Sequence, residues 1–416
     1  MHRTFEAALS PTVGQQHKLG RLFRLQCELY NAALEERRGV WKQNGVSVTK
    51  FEQFKGLSGF DHPVMQYGVV PARGTLTRLD RAFQSFFRRV KQGGTPGFPR
   101  FKPSARWSSV EYPDAKCWRI VAGGRKHGGV GKLYLKGVGH VRFRGSKRGI
   151  RGAPKTLTVR RVAGKYRMYV TYVLEPALGP PAPRTPRDIG VDLGVTEVVA
   201  LSDGTLFPNP REARRAAAKL AEAQQALARK QKGSNRRKRA VERVACQHRK
   251  VACQRRNRNH QISRTIVDRA DGGLVVFEDL KITNMTTRVK PRPDPDNTGQ
   301  FLPNGQAAKT GLNREIQAVG WAELRQMAGY KAEEAGTRLV VVNPAFTSQT
   351  CNICGHISPH NRHGTKFHCV RCGHTGHADV NAAKNIKRVG QTPRSQPRKA
   401  TIFEGRATRD LSHGKP

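Results

Sequence analysis

Two pairs of cysteines constrain the fold of this chain more than any other feature of its sequence. Cys351 and Cys354 form one C-x2-C pair, Cys369 and Cys372 form the other, and a glycine follows each pair. Four thiolates at this spacing predict a closed, tetrahedral Zn²⁺ site with a structural role, because no coordination position stays open. A redox-active dithiol pair or an iron–sulfur cluster is the alternative, since the ligand set alone does not specify the metal.

The charge of the chain indicates the class of its partner. Its 416 residues include 76 Lys and Arg against 30 Asp and Glu, a formal net charge of +46. Such an excess causes self-repulsion unless a polyanion neutralises it, and phosphate backbones are the commonest polyanion. The composition therefore favours a nucleic-acid partner and disfavours most free-standing small-molecule enzymes.

The most basic region is the helical stretch 211–268. Its first fifty residues, 211–260, carry 17 Lys and Arg against three Glu. We expect this stretch to contact nucleic-acid phosphates, with its densest run at Arg236, Arg237, Lys238 and Arg239. A solvated basic helix face is the alternative interpretation.

Other protein classes are disfavoured by what the sequence lacks. It contains no run of ~18 apolar residues that would span a membrane. Its first residues include no apolar stretch suited to a signal peptide. Eight cysteines are far below the density of a disulfide scaffold. We therefore expect a cytoplasmic protein in a reducing compartment, which favours metal over disulfide for the cysteine cluster.

Hydrophobic patterning predicts two differently built halves. Apolar residues at helical spacing predict helices over 15–41 and 75–91. Alternating patches between 118 and 173, separated by glycine-rich turns, predict an antiparallel barrel or sheet. Five prolines in 176–186 indicate a boundary between the halves.

After this boundary, strands and helices alternate, which is typical of an α/β domain. The residues 188–201 are strand-like throughout, and 274–277 form a second apolar strand. A single helix is predicted over 313–335, followed by a third strand from 339. A short helix at 380–388 and a basic tail follow the cysteine cluster.

Carboxylates stand at the ends of three of these elements. Asp192 lies in an apolar strand, Glu278 and Asp279 end another, and Asp379 opens the last helix. A buried carboxylate is costly unless it binds a cation or a strong partner, and ligands of α/β sheets bind at the carboxyl ends of strands. Two Mg²⁺ ions about 4 Å apart need several such oxygens and cleave phosphodiester bonds. Because alternation points Glu278 and Asp279 to opposite faces, only one is expected to reach the metals, and the pattern leaves open which.

Several segments of the sequence resemble motifs of a known family. Gly-Val-Asp-Leu-Gly-Val at 190–195, Phe-Glu-Asp-Leu at 277–280, Thr-Ser-Gln-Thr-Cys at 347–351 and Ala-Asp-Val-Asn-Ala-Ala-Lys-Asn-Ile at 378–386 occur in the family's order. They are similar to motifs of the TnpB family of transposon-encoded proteins, compact relatives of type V CRISPR effectors. Pro-Arg-Phe-Lys at 99–102 resembles that family's N-terminal half.

The resemblance implies an α/β protein with an RNase H-like (RuvC-like) nuclease domain, an inserted four-cysteine zinc ribbon, and an N-terminal wedge-like β-barrel domain carrying a helical insertion. It implies Asp192, Glu278 and Asp379 as the catalytic, Mg²⁺-binding carboxylates, and so selects Glu278 over Asp279. The implied activity is RNA-guided endonuclease cleavage of double-stranded DNA, with a guide RNA derived from the transposon end and a monomeric protein.

The expected domain organisation follows from the same resemblance. It comprises the first part of the β domain (1–15), the helical recognition insertion (16–105), the remainder of the β domain (106–180), the RuvC-like nuclease (186–346), the zinc ribbon (347–376), the last RuvC segment (377–390) and a basic disordered tail (391–416).

Two other functions remain open from the sequence. One is a catalytically silent, nucleic-acid-binding regulator or repressor of the transposon. The other is an accessory transposase, since strand-joining chemistry also uses carboxylate-held Mg²⁺. All three carboxylates are present, which favours the enzyme.

Overall fold

The computed structural model describes residues 2–121, 130–144, 152–173, 185–297 and 299–392. Two compact units divide the chain, residues 1–178 and 179–416. Most of the proline-rich boundary segment and the basic tail from 393 onward lie outside the described residues. Among the residues that are described, no helix combines the length and apolar character needed to cross a membrane.

The first unit contains an antiparallel sheet. Its strands are β1 (His2–Ser10), β2 (Ser109–Tyr112), β3 (Trp118–Val121), β4 (Val130–Leu135), β5 (Gly139–Arg144), β6 (Ala153–Val162) and β7 (Lys165–Val173). Their order across the sheet is β2-β6-β7-β1-β5-β4-β3, with every neighbouring pair antiparallel. The antiparallel strands that the alternating patches predicted are therefore confirmed.

Three α-helices of the first unit connect β1 to β2. They are α1 (Val13–Asn44), α2 (Lys50–Lys55) and α3 (Val69–Lys91). Thr12 caps α1 by accepting the backbone N–H of Gln15, whose side chain in turn accepts the N–H of Thr12. The apolar faces of α1 and α3 join the sheet in one buried cluster that includes Leu22, Leu76 and Val170. The helix predicted over 75–91 begins earlier because Pro71 is tolerated in its first turn.

The second unit is built on a mixed sheet. Its strands are β8 (Ile189–Asp192), β9 (Glu197–Leu201), β10 (Leu206–Pro208), β11 (Leu274–Glu278) and β12 (Arg338–Val342), in the order β10-β9-β8-β11-β12. The strands β8, β11 and β12 are parallel, whereas β9 and β10 are antiparallel to their neighbours. The continuous strand expected over 188–201 is wrong, because the chain turns after Asp192 and β9 runs back along β8. Asp192 therefore ends its strand.

The helices of this unit are α4 (Glu212–Ala228), α5 (Asn235–Ala270), α6 (Ile282–Met285), α7 (Gln306–Val319), α8 (Trp321–Ala335) and α9 (Ala378–Gln391). The single helix predicted over 313–335 is wrong. Gly320 lies between α7 and α8 with a φ of 75°, a left-handed conformation that ends one helix before the next begins. Apolar side chains of α5 and α8, among them Ile266 and Leu324, pack on Phe277 of β11.

The cysteine-containing segment lies between β12 and α9. It forms a small antiparallel sheet of β13 (Arg362–His363), β14 (Lys366–His368) and β15 (Thr375–His377). The last of these strands runs directly into α9, so the cysteine segment and the carboxylate of Asp379 are joined by a few residues.

Candidate active site and metal centre

Asp192 and Glu278 come together because their strands are parallel neighbours. Val191 of β8 lies opposite Phe277 of β11, so the next residue on each strand, Asp192 or Glu278, stands at the same carboxyl edge of the sheet. Neighbouring strands are about 4.8 Å apart, which keeps the two carboxylates close. Both strands are otherwise apolar and buried, and Asp192 reaches the edge because the chain turns after it.

Asp379 reaches the same edge from α9. This helix packs on β8 so closely that a Cβ atom at Gly190 would lie 2.0 Å from the carbonyl oxygen of Ala383. Only glycine fits at that contact, and the contact brings the first turn of α9 to the sheet edge. Asp379 lies in this first turn with its side chain only 8 % exposed.

The charges of the two other carboxylates act on Asp192. Burial, then the charges of Glu278 and Asp379, raise the pKa of Asp192 to about 8. Burial also raises the pKa of Glu278. Like charges gathered away from water disfavour ionisation unless a cation compensates them. A set of hard carboxylate oxygens under mutual repulsion is the donor chemistry that Mg²⁺ prefers.

Two further residues, Arg362 and Thr347, contact this cluster. Neither was predicted from the sequence to have a role. Arg362 of β13 donates from Nη2 to Oδ1 of Asp379 at 2.6 Å, and its charge lowers the pKa of both Asp192 and Glu278. The hydroxyl of buried Thr347 donates to Oε1 of Glu278 at 2.5 Å. Thr347 lies in a motif that carried the resemblance, which was the available signal. Arg362 gave no such signal in the sequence, because it is one of many basic residues in this chain.

Asp279 faces away from the cluster. Its carboxylate is 45 % exposed, with Lys281 Nζ at 3.0 Å and Arg325 Nη1 at 3.4 Å. The hydrogen bond from Lys281 is the main cause of its lowered pKa. The structure thus brings Asp192, Glu278 and Asp379 together and leaves Asp279 in an ordinary surface ion pair.

The four cysteines form a compact cluster. The sulfur atoms of Cys351, Cys354, Cys369 and Cys372 all lie within 4.8 Å of one another. The Sγ atoms of Cys351 and Cys372 are 3.7 Å apart, and those of Cys354 and Cys369 are 3.6 Å apart. A tetrahedral ion with bonds of about 2.3 Å to sulfur requires sulfur separations of about 3.8 Å. The cluster could therefore hold a metal ion such as Zn²⁺.

Asparagines of α9 connect the cysteine segment to the carboxylates. Asn381 accepts the backbone N–H of Asn352 and donates to the carbonyl of Thr350. Asn385 donates to the carbonyls of Thr347 and Thr350. The loop that carries the first cysteine pair is thereby attached to the helix that carries Asp379.

The basic residues of the helical stretch differ in their surroundings. Arg236, Lys238 and Arg239 are exposed at the start of α5. Arg237 is half-buried, and its guanidinium donates to the carbonyls of Leu227 and Lys230 at the end of α4. Arg237 therefore holds the turn between the helices, while Arg236, Lys238 and Arg239 are exposed to solvent.

Fold and site together define a class of protein: a strongly basic α/β protein with an acidic cluster at one sheet edge and, before the last helix, a four-cysteine segment that could hold a metal ion. Two family models match the chain. One is described as a probable transposase, OrfB of IS605, and covers residues 166–289. The other is described as a Cas12f1-like TNB domain and covers residues 321–386.

Two curated relatives match over most of their length. One is InsQ of Escherichia coli strain K12, named as an RNA-guided DNA endonuclease. It is 32 % identical over 323 residues, which are 77 % of this chain and 74 % of the relative. Another, from Streptomyces pristinaespiralis, has the same description and is 31 % identical over 93 % of this chain and 89 % of its own. The chain belongs to the TnpB family of transposon-encoded proteins.

Solved structures share the fold. The chain resembles Cas12f1, solved with its guide RNA and target DNA, with a TM-score of 0.54 and 14 % identity over 91 % of this chain and 83 % of that one. It also resembles the mini-RNA-guided endonuclease CRISPR-Cas phi3, with a TM-score of 0.50 and 10 % identity over 94 % and 92 %. At these identities the likeness concerns the fold alone.

Proposed function

We propose that this chain is an RNA-guided, Mg²⁺-dependent DNA endonuclease of an insertion-sequence transposon. The observation that carries the proposal is the gathering of Asp192, Glu278 and Asp379 at one sheet edge of a chain with a net charge of +46. Family membership supports it, because two relatives that match most of this chain are named as RNA-guided DNA endonucleases.

In this proposal the second unit is a RuvC-like nuclease of RNase H fold, formed by 186–346 and 377–390, with the zinc ribbon 347–376 between them. The first unit is a wedge-like β domain, 1–15 and 106–180, that closes as a barrel and carries the recognition insertion 16–105. The tail 391–416 adds positive charge. The protein works as a monomer on a guide RNA from the transposon end and a double-stranded DNA target.

The catalytic groups have separate tasks. Asp192, Glu278 and Asp379 would hold Mg²⁺, which, when bound, supplies an activated water and stabilises the leaving oxygen. Thr347 fixes the orientation of the Glu278 carboxylate through its hydroxyl. Arg362 neutralises part of the cluster and holds Asp379 in place. The four cysteines would hold Zn²⁺ and keep the segment that carries Thr347 and Arg362 folded against α9.

The test is to express the protein with its own flanking DNA, purify it, and sequence the nucleic acid that co-purifies. The result expected is one discrete RNA that maps to the transposon end. A linear duplex matching the 3′ extension of that RNA should then be cut in Mg²⁺ and left intact in EDTA. Co-purification of random RNA would contradict the proposal and favour the transposase. A discrete RNA without any cutting would also contradict it and favour the silent regulator.

The exposed cations of α5 should contribute to nucleic-acid affinity through phosphate contacts. Replacing Arg236, Lys238 and Arg239 together by glutamine should weaken duplex binding and reduce the slope of log K against log salt by about two to three. The measurement is a salt titration of binding by fluorescence anisotropy.

Arg237→Gln is the matched control for that triple variant. Arg237 uses its guanidinium on the carbonyls of α4, so its loss should lower thermal stability and leave the salt slope nearly unchanged. An equal fall in slope for the single and the triple variant would mean that this surface does not contact phosphates as proposed.

A further inference from the structure

Phe346 is exposed in an unusual backbone conformation, one residue before Thr347, whose hydroxyl contacts Glu278. Its side chain is 61 % exposed, and its φ of 62° lies in the left-handed region. Bulky residues without a reason to be there rarely adopt this region, and residues that do so concentrate at ligand-binding and catalytic sites. A large aromatic ring in such a position combines two unfavourable features, strain and exposed apolar surface.

The carbonyl group of Phe346 accepts three hydrogen bonds from the turn that follows it. The carbonyl of Phe346 accepts the backbone N–H groups of Gln349 and Thr350, each at 3.0 Å, and the hydroxyl of Thr350 at 2.7 Å. The next residue, Thr347, is buried and donates to Glu278 at 2.5 Å. The ring of Phe346 is therefore attached one residue from a direct contact to the active-site cluster, on backbone that cannot easily move away.

An exposed aromatic ring at a fixed position suits one kind of ligand in a nuclease. Base stacking on an aromatic side chain is tolerant of sequence, because every base presents a π-face. A guided nuclease needs that tolerance at its cleavage site, since the guide and not the protein selects the sequence. The acidic cluster itself repels phosphates, so an apolar contact to a base offers a means of holding the strand there without relying on charge.

We propose that Phe346 is a stacking platform for an unpaired base of the DNA strand next to the bond that is cut. This inference rests on the proposed function. It makes Phe346 a substrate-positioning residue, separate from the carboxylates that would bind metal, and it explains why an aromatic side chain occupies a left-handed position where glycine would be less strained.

A glycine substitution at this position distinguishes the contribution of the aromatic ring from the effect of backbone strain. Phe346→Gly removes the ring and relieves the left-handed strain, so the variant should be at least as stable as the wild type. Phe346→Tyr keeps a stacking face. Ile353→Ala is the matched control, because Ile353 is also exposed, at 64 %, on the cysteine segment but lies between the cysteines of its first pair.

The experiment uses the full chain with Asp192→Asn, in buffer without added Mg²⁺ or chelator, and a single-stranded oligonucleotide carrying one 5-iododeoxyuridine or one 2-aminopurine. Photocrosslinking followed by peptide mass spectrometry should place the crosslink at Phe346. Quenching of 2-aminopurine should require about tenfold more protein for Phe346→Gly than for Phe346→Tyr or Ile353→Ala. A crosslink located elsewhere, or equal quenching by all variants, would overturn the proposal.

Failure here is distinguishable from failure of the proposed function. Neither stacking readout needs a guide RNA, Mg²⁺ or cleavage. If the wild type cuts a guided target but Phe346→Gly stacks normally, only the role of Phe346 is wrong. If stacking at Phe346 is found but no guided cutting occurs, the activity is wrong and the inference loses its basis.

Discussion

An Asp192→Asn variant should lose DNA cleavage by at least about 10³-fold while binding guide RNA and target DNA as the wild type does. The amide keeps the size of the side chain but removes the negative charge at the point where β8 meets β11 and α9. Single-turnover cleavage of a guided duplex in Mg²⁺ measures the first effect, and a mobility-shift assay measures the second.

Asp279→Asn is the matched control for this loss. The residue lies next to Glu278 but forms its ion pairs with Lys281 and Arg325 at the surface. Its cleavage rate should stay within a few-fold of the wild type. Normal cutting by Asp192→Asn, or an equal loss in both variants, would contradict the assignment of the carboxylate cluster.

The Asp192→Asn variant should be more stable than the wild type when divalent ions are absent. In the folded protein the pKa of Asp192 is raised to about 8, so between about pH 4 and pH 8 the folded state binds more protons than the unfolded state. The free energy of unfolding of the wild type therefore falls as pH rises through this window. In EDTA at pH 8 the melting temperature of Asp192→Asn should exceed that of the wild type by several degrees. The difference should shrink toward pH 4, and Mg²⁺ should stabilise the wild type more than the variant.

The parts of this site that could be predicted from sequence are those that a local pattern determines. Asp192 and Glu278 follow apolar strands, and the period of two separates Glu278 from Asp279 without selecting either. The selection came from family resemblance. In the structure Glu278 accepts a hydrogen bond from Thr347, whereas Asp279 forms surface ion pairs with Lys281 and Arg325.

What could not be predicted depends on contacts between distant parts of the chain. Arg362 reaches Asp379 only because the small sheet of the cysteine segment folds back on α9. The left-handed φ of Phe346 has no sequence signature, nor do the three hydrogen bonds that its carbonyl accepts from Gln349 and Thr350. The break at Gly320 was missed because apolar residues keep their helical spacing on both sides of it.

Replacing Cys351 by serine should remove the bound metal and reduce cleavage by about 10²-fold or more, although no cysteine touches the carboxylates. Structural zinc contributes folding free energy directly, and a hard hydroxyl is a poor ligand beside three thiolates. Without the metal, the loop that Asn381 and Asn385 attach to α9 loses its fixed form, and Thr347 and Arg362 lose their positions at the cluster.

The zinc content of Cys351→Ser, measured by metal analysis, should fall from about one zinc per chain to near zero. Its melting temperature should fall as well. Cys253→Ser, at an exposed position on α5, should leave all three quantities unchanged. A Cys351→Ser protein that lacks zinc and still cuts at the wild-type rate would mean that the carboxylate site is assembled by the sheet and α9 alone.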